Sequence, residues 1–273
     1  MAAFGTDFQK YTSPLLYVPS NPAGFWLALG IALGLMFANS VFQTVAGTSI
    51  LGFFFDGGYE DQKSVIKAFI IGIFPASVLT AALAWQAAKI RGGRPREILA
   101  LRWPDLGWLG WVIVVAGFIL TIYAAVVVVV TVFQIDLAQY TPGPDGQSPE
   151  TGSAGLVKEA MFDMANEPLL FWFAFLSVTA GAALAEEFVF RGQLFAALAQ
   201  SRAGFSGAIL ITSALWSLIH KFTEPWLAVG VIFMMGLALG TLLIRFGSLW
   251  ITIACHGIWN GLYSLLIFGS LPQ

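Results

Sequence analysis

Charge is scarce in this chain: 10% of its 273 residues are Asp, Glu, Lys or Arg, against roughly a quarter in a soluble domain. Hydrophobic residues make up 58%. A soluble core cannot bury that much apolar surface, whereas lipid can take it. The net charge of −2, with no basic stripe, gives no sign of a nucleic-acid partner, and none is expected. Cys255 is the single cysteine, which excludes an internal disulfide. Met1 to Ser20 has one lysine and no apolar core, so it does not read as a cleavable signal peptide. The first hydrophobic span is then expected to do the targeting. No repeat of fixed period is evident.

What is present is a series of apolar stretches. A spanning helix needs about 20 mostly apolar residues. Seven stretches qualify: Gly24–Ala46, Val65–Ala88, Trp108–Gln134, Leu169–Ala199, Phe205–His220, Trp226–Ile244 and Leu249–Phe268. The fourth is too long for one crossing and the fifth is short. The expected fold is all-α: a polytopic transmembrane helix bundle of about seven spans, between six and eight. Pro22, Pro104, Pro168 and Pro225 mark helix entries, and Pro75 falls inside the second span. Trp26, Trp103, Trp108, Trp172, Trp226 and Trp250 sit near proposed ends, where an interfacial belt would place them.

Loop charge sets the expected orientation. Lys89, Arg91, Arg94, Arg96 and Arg102 form the densest basic cluster, which belongs in the cytoplasm. The first link carries Asp56, Glu60 and Asp61, and the third is mostly acidic, so both are expected outside. The N-terminus is then cytoplasmic and the C-terminus external. The expected division is a cytoplasmic segment 1–23, N-terminal transmembrane helices 24–134, an extracytoplasmic loop 135–168 and a C-terminal helix bundle 169–273. Thr141–Pro149 reads as a surface turn. Gly155–Ala165 reads as a short amphipathic helix on the outer surface. Three pairs, Gly30/Gly34, Gly236/Gly240 and Gly257/Gly261, read as close helix packing within the bundle.

Charged groups inside apolar segments need a cause, since each costs about 2.5–3.5 kcal/mol at a helix centre on translocon scales. The fourth stretch contains Glu186 and Glu187. Residues four apart share a helix face, so Glu187 can pair with Arg191, which leaves Glu186 for other work. The only two histidines, His220 and His256, lie in or at the end of apolar stretches. Asn260 follows His256 by one turn, and the two make a donor pair of the kind that stabilises an oxyanion. A bland reading remains for each: a neutralised Glu–Arg pair, helix–helix hydrogen bonding by the histidines, and interhelical glue for Asn260. Cys255 beside His256 points away from it on a helix and reads as a small packing residue. Ser217, three residues before His220, is the best alternative nucleophile.

The ordered set Glu186-Glu187-x-x-x-Arg191, Trp216-x-x-x-His220 and His256-x-x-x-Asn260 resembles the three motifs of the CPBP family, the CAAX-protease and bacteriocin-processing (Abi) membrane proteins. The resemblance runs from Leu169 to about Phe268. The second motif usually has Phe where this chain has Trp216. The resemblance implies an intramembrane endopeptidase, with Glu186 catalytic, His220 its partner in activating water, and His256 and Asn260 holding the oxyanion. Glu187 and Arg191 would be supporting. It also allows a metal-dependent enzyme, with Zn2+ held by Glu186, His220 and His256. These ligands lie on three helices and lack a short spacing such as H-E-x-x-H. Counted along straight helices at about 1.5 Å per residue, Glu186 and His256 fall towards the cytoplasmic side and His220 towards the outer side. They meet only if the fifth helix starts late or tilts, if the fourth projects, or if Lys221–Glu224 dips inward.

The expected partners are membrane lipid and a peptide or membrane-protein substrate, prenylated in the CAAX case. The expected location is the plasma (inner) membrane of a prokaryote. A competing reading is a non-catalytic immunity or scaffold protein of the same family. A proton-coupled transporter is disfavoured, because neither inverted repeats nor paired broken helices are visible.

Overall fold

The computed structural model describes residues 16–21, 23–54, 62–136 and 152–269, and all of its regular structure there is helical. The long helices are α1 (Phe25–Phe54), α2 (Gln62–Ile90), α4 (Trp108–Val132), α6 (Pro168–Ala199), α7 (Gly204–Ile219), α8 (Trp226–Phe246) and α9 (Leu249–Gly269). Two shorter helices, α3 (Pro95–Ile98) and α5 (Gly152–Ala165), lie between them. Among the described residues six helices are long and apolar enough to cross a membrane, and they coincide with the first six expected spans. The seventh stretch forms α9. The chain is an integral membrane protein. Asp56, Glu60, Asp61 and the turn Thr141–Pro149 lie outside the described residues.

Lipid explains which helix faces stay uncovered. The apolar core of α4 is only 11% buried, its inner face being little more than Gly110, Phe118 and Ile122. Water would not tolerate such an exposed run of Val and Ile; hydrocarbon does. Trp26, Trp103, Trp108, Trp172 and Trp226 are all exposed, as interfacial anchors must be.

Small residues let the remaining helices meet closely. α1 and α2 cross where a Cβ on Gly47 would overlap the Ala68 carbonyl, and one on Gly72 would overlap the Gln43 carbonyl. Gly236 abuts Ser213 and Gly240 abuts Ile209, joining α8 to α7; Gly257 and Gly261 bring α9 onto Thr179 of α6. The expectation for Gly30 and Gly34 is corrected: both are exposed, with nothing within 4 Å of an added Cβ. The buried stripe of α1 is instead Ala28, Ala32, Leu35, Asn39 and Gln43.

α6 is not a uniform helix. It widens into π-turns at Ser177–Gly181 and Glu187–Leu194. Such turns cluster at functional sites and break the regular i→i−4 ladder. Ser177 Oγ donates to the Ile71 carbonyl and Gln193 Nε2 to the Ala84 carbonyl, at 3.2 and 2.7 Å, so both π-turns are tied to α2. α5 packs Ala160, Met161 and Met164 against Ile71, Leu170 and Ala174, while Glu159 and Asp163 meet Lys63 and Lys67 of α2.

Candidate active site

α6, α7 and α9 bring the polar residues of the apolar segments together. Glu186 closes the regular turn between the two π-turns of α6. The α-helical part of α7 has 16 residues, about 24 Å, and the 3₁₀ turn extends the span to Phe222. Its α-helical part stops at Ile219, and His220–Phe222 form a 3₁₀ turn before Pro225. His220 therefore ends its helix at the level of Glu186, and the mismatch expected from straight full-length helices does not arise. His220 Nε2 and His256 Nε2 each stand 3.9 Å from the same oxygen, Oε2 of Glu186.

Each imidazole is held by its other nitrogen. His220 Nδ1 lies 2.8 Å from the Trp216 carbonyl, one turn back. A carbonyl only accepts, so Nδ1 carries the proton, and in the neutral ring Nε2 offers a lone pair towards Glu186. His256 Nδ1 lies 3.1 Å from Glu187 Oε1, with the same consequence when that carboxyl is ionised. Glu187 Oε1 also accepts from Arg191 Nη1 at 3.0 Å, and both side chains of that pair are 0% exposed. The expected pairing within the first motif is thus present, and Glu187 additionally holds a histidine of α9.

The two adjacent glutamates differ in surroundings. Glu187 is sealed, whereas the Glu186 side chain is 17% exposed and that of His220 is 23% exposed. The accessible carboxylate is the one faced by both imidazoles. Trp216, 1% exposed, lies between them: its ring is edge-on to His220 at 5.6 Å and to His256 at 5.1 Å. Its indole Nε1 donates to Glu186 Oε2 at 2.5 Å, and the Arg191 guanidinium lies over its ring at 4.3 Å. The sequence placed Trp216 only as the aromatic of a motif. The indole N–H that separates Trp from Phe was the available signal.

Asn260 is not in contact with this group. Its Nδ2 donates to the Val178 carbonyl in the first π-turn, at 3.0 Å, and carries a second N–H. Ser217 is buried and its hydroxyl donates to the Ala214 carbonyl. Cys255 is fully buried.

The residues do not fit a metal centre. Zinc needs ligand atoms about 2.0–2.2 Å from the ion in a closed polyhedron. Here one carboxylate oxygen faces both imidazoles at 3.9 Å and is already capped by an indole N–H. Among the described residues no group of three His, Cys, Asp or Glu side chains could hold a metal ion.

Residues 168–262 match the family model of the type II CAAX prenyl endopeptidase Rce1-like proteins. That match spans α6 to most of α9, the segment that carries all three motifs. No curated protein and no solved structure matches the chain significantly.

Proposed function

From the match of residues 168–262 to the Rce1-like endopeptidases we propose that this protein is an intramembrane peptidase of CAAX-protease type, in which Glu186 and the two histidines activate water. One observation carries the reading: imidazoles from two different helices converge at 3.9 Å on the accessible carboxylate of Glu186. That spacing exceeds a hydrogen bond and suits a single shared water.

Glu186 takes a proton from the water as its oxygen adds to the peptide carbonyl carbon. The tetrahedral intermediate then expels the amine, which leaves with the proton Glu186 had taken. His220 orients the water through the Nε2 lone pair that its bond to the Trp216 carbonyl leaves facing inward. Asn260 directs its second N–H at the developing oxyanion. His256 can donate there through Nε2 only when doubly protonated, and Glu187 at Nδ1 is the counter-charge for that form. The substrate class is a prenylated CAAX peptide. The N-terminus and the Lys89–Arg102 cluster face the cytoplasm.

The test uses the purified protein in lipid nanodiscs with farnesylated CAAX-type peptides, the products being read by mass spectrometry. Wild type cleaves near the prenylated cysteine, and Glu186→Gln loses about 10²–10⁴ of the rate, the usual contribution of a general base. Cleavage by Glu186→Gln at the wild-type rate would overturn the assignment. Full cellular function of that variant, without cleaved peptides, would favour the scaffold reading.

A further inference from the structure

We infer that Trp216 is a positioning residue whose indole N–H fixes the Glu186 carboxylate against the two histidines. The inference rests on the peptidase reading for its catalytic consequence, but the contact itself stands on geometry. Nε1 donates to Oε2, the same oxygen that both imidazoles face. Glu186 is an exposed-side carboxylate on a helix interrupted by π-turns on either side of it, and three χ angles would otherwise let its head group wander.

Trp216 is itself immobilised. It is 1% exposed, its carbonyl accepts from His220, and its ring lies under Arg191, which is in turn bonded to Glu187. Glu187 holds His256, and His256 faces Glu186. The contacts therefore close a ring: Glu186, Trp216, Arg191, Glu187, His256 and back to Glu186. Within that ring the indole N–H alone hydrogen-bonds the accessible carboxylate, and the same indole lies under the guanidinium of the sealed ion pair. A phenylalanine at position 216 would keep the aromatic contacts with both imidazoles and with Arg191. It would lose the N–H together with part of the bicyclic volume, leaving Glu186 without its fixed donor.

Misplacing a reacting group by about 1 Å can cost 10²-fold in rate. Trp216→Phe is therefore expected to lower kcat on a farnesylated CAAX-type peptide by about 10- to 100-fold, with KM changed less than about threefold. Replacing Trp216 by its benzothienyl isostere, which keeps the bicyclic shape without the N–H, gives the same loss. A merely space-filling Trp216 would lower the yield and melting temperature of the phenylalanine variant, and leave kcat per folded molecule and the isostere untouched. The contact is read independently by 15N–1H spectra of tryptophan-labelled protein in nanodiscs. The resonance missing in Trp216→Phe is expected far downfield in wild type and shifted upfield in Glu186→Ala. A resonance that ignores Glu186→Ala, or an isostere with wild-type kcat, overturns the inference. A wild type that cleaves nothing, with the resonance still responding to Glu186→Ala, sinks the peptidase reading and leaves the indole–carboxylate contact standing.

Discussion

Glu187 and His256, 69 residues apart in sequence, are joined inside the bundle by a 3.1 Å contact between Oε1 and Nδ1. The same carboxylate oxygen holds Arg191. One buried charge thus serves both the integrity of α6 and the orientation of a ring on α9.

Glu187→Gln leaves Arg191 buried and uncompensated. Losing one partner of a buried pair typically costs about 3–5 kcal/mol. The variant is expected to unfold at clearly lower temperature in detergent, and Arg191→Ala to behave likewise. Because Glu187 also sets the tautomer of His256, the folded remainder should cleave more slowly as well. A Glu187→Gln protein with wild-type stability would show that the ion pair carries none of this load.

No acyl-enzyme is expected to form. Ser217 spends its hydroxyl on the Ala214 carbonyl, and Cys255 has no exposed surface. Ser217→Ala and Cys255→Ala are expected to keep kcat within about threefold, since neither meets the geometric demands on a nucleophile. Hydrolysis in oxygen-18 water should label the new carboxyl terminus, with no mass adduct on the protein during turnover. A peptide ester on either residue would end the water mechanism.

Removal of metal is expected to leave the rate unchanged. His220 and His256 each stand 3.9 Å from one Glu186 oxygen, which the Trp216 indole also caps. Protein dialysed against a strong chelator, with metal content measured alongside, should cleave as before. Loss of activity restored by zinc at one ion per chain would refute this.

Gly47→Ala should destabilise the bundle and Gly30→Ala should not. The added methyl overlaps the Ala68 carbonyl in the first case and meets nothing within 4 Å in the second. Forced overpacking costs about 1–3 kcal/mol, whereas an open-surface change stays within about 0.5 kcal/mol. Thermal unfolding of the pair in the same detergent decides it.

Gly30 and Gly34 show why part of the fold was not legible. Their spacing matches a packing motif, but spacing does not say which side of an apolar helix meets protein and which meets lipid. From Phe25 to Ala38 every residue of α1 is apolar or small, so no polar face marks the outside there. The spans were legible because length and hydropathy alone define them. Glu186, His220 and His256 were legible because polar groups are expensive in lipid and few. Their meeting at one depth was not, because a count along straight helices cannot show that α7 ends at Ile219 or that α6 widens into π-turns. The hydrogen bond from Trp216 to Glu186 was hidden for a related reason: it depends on the rotation of α7 against α6, which no single-helix pattern encodes.

Ser177 and Gln193 hang the two π-turns of α6 from the carbonyls of Ile71 and Ala84. Every amino acid carries a carbonyl, so these two hooks ask almost nothing of the side chains on α2. At Ile71 and Ala84 the side chain can change while the carbonyl still bears the weight of the back half. A scaffold of this kind leaves no signature in its own sequence, and a fragment cut to residues 168–262 would keep every recognisable motif while losing the beam from which its central helix is suspended.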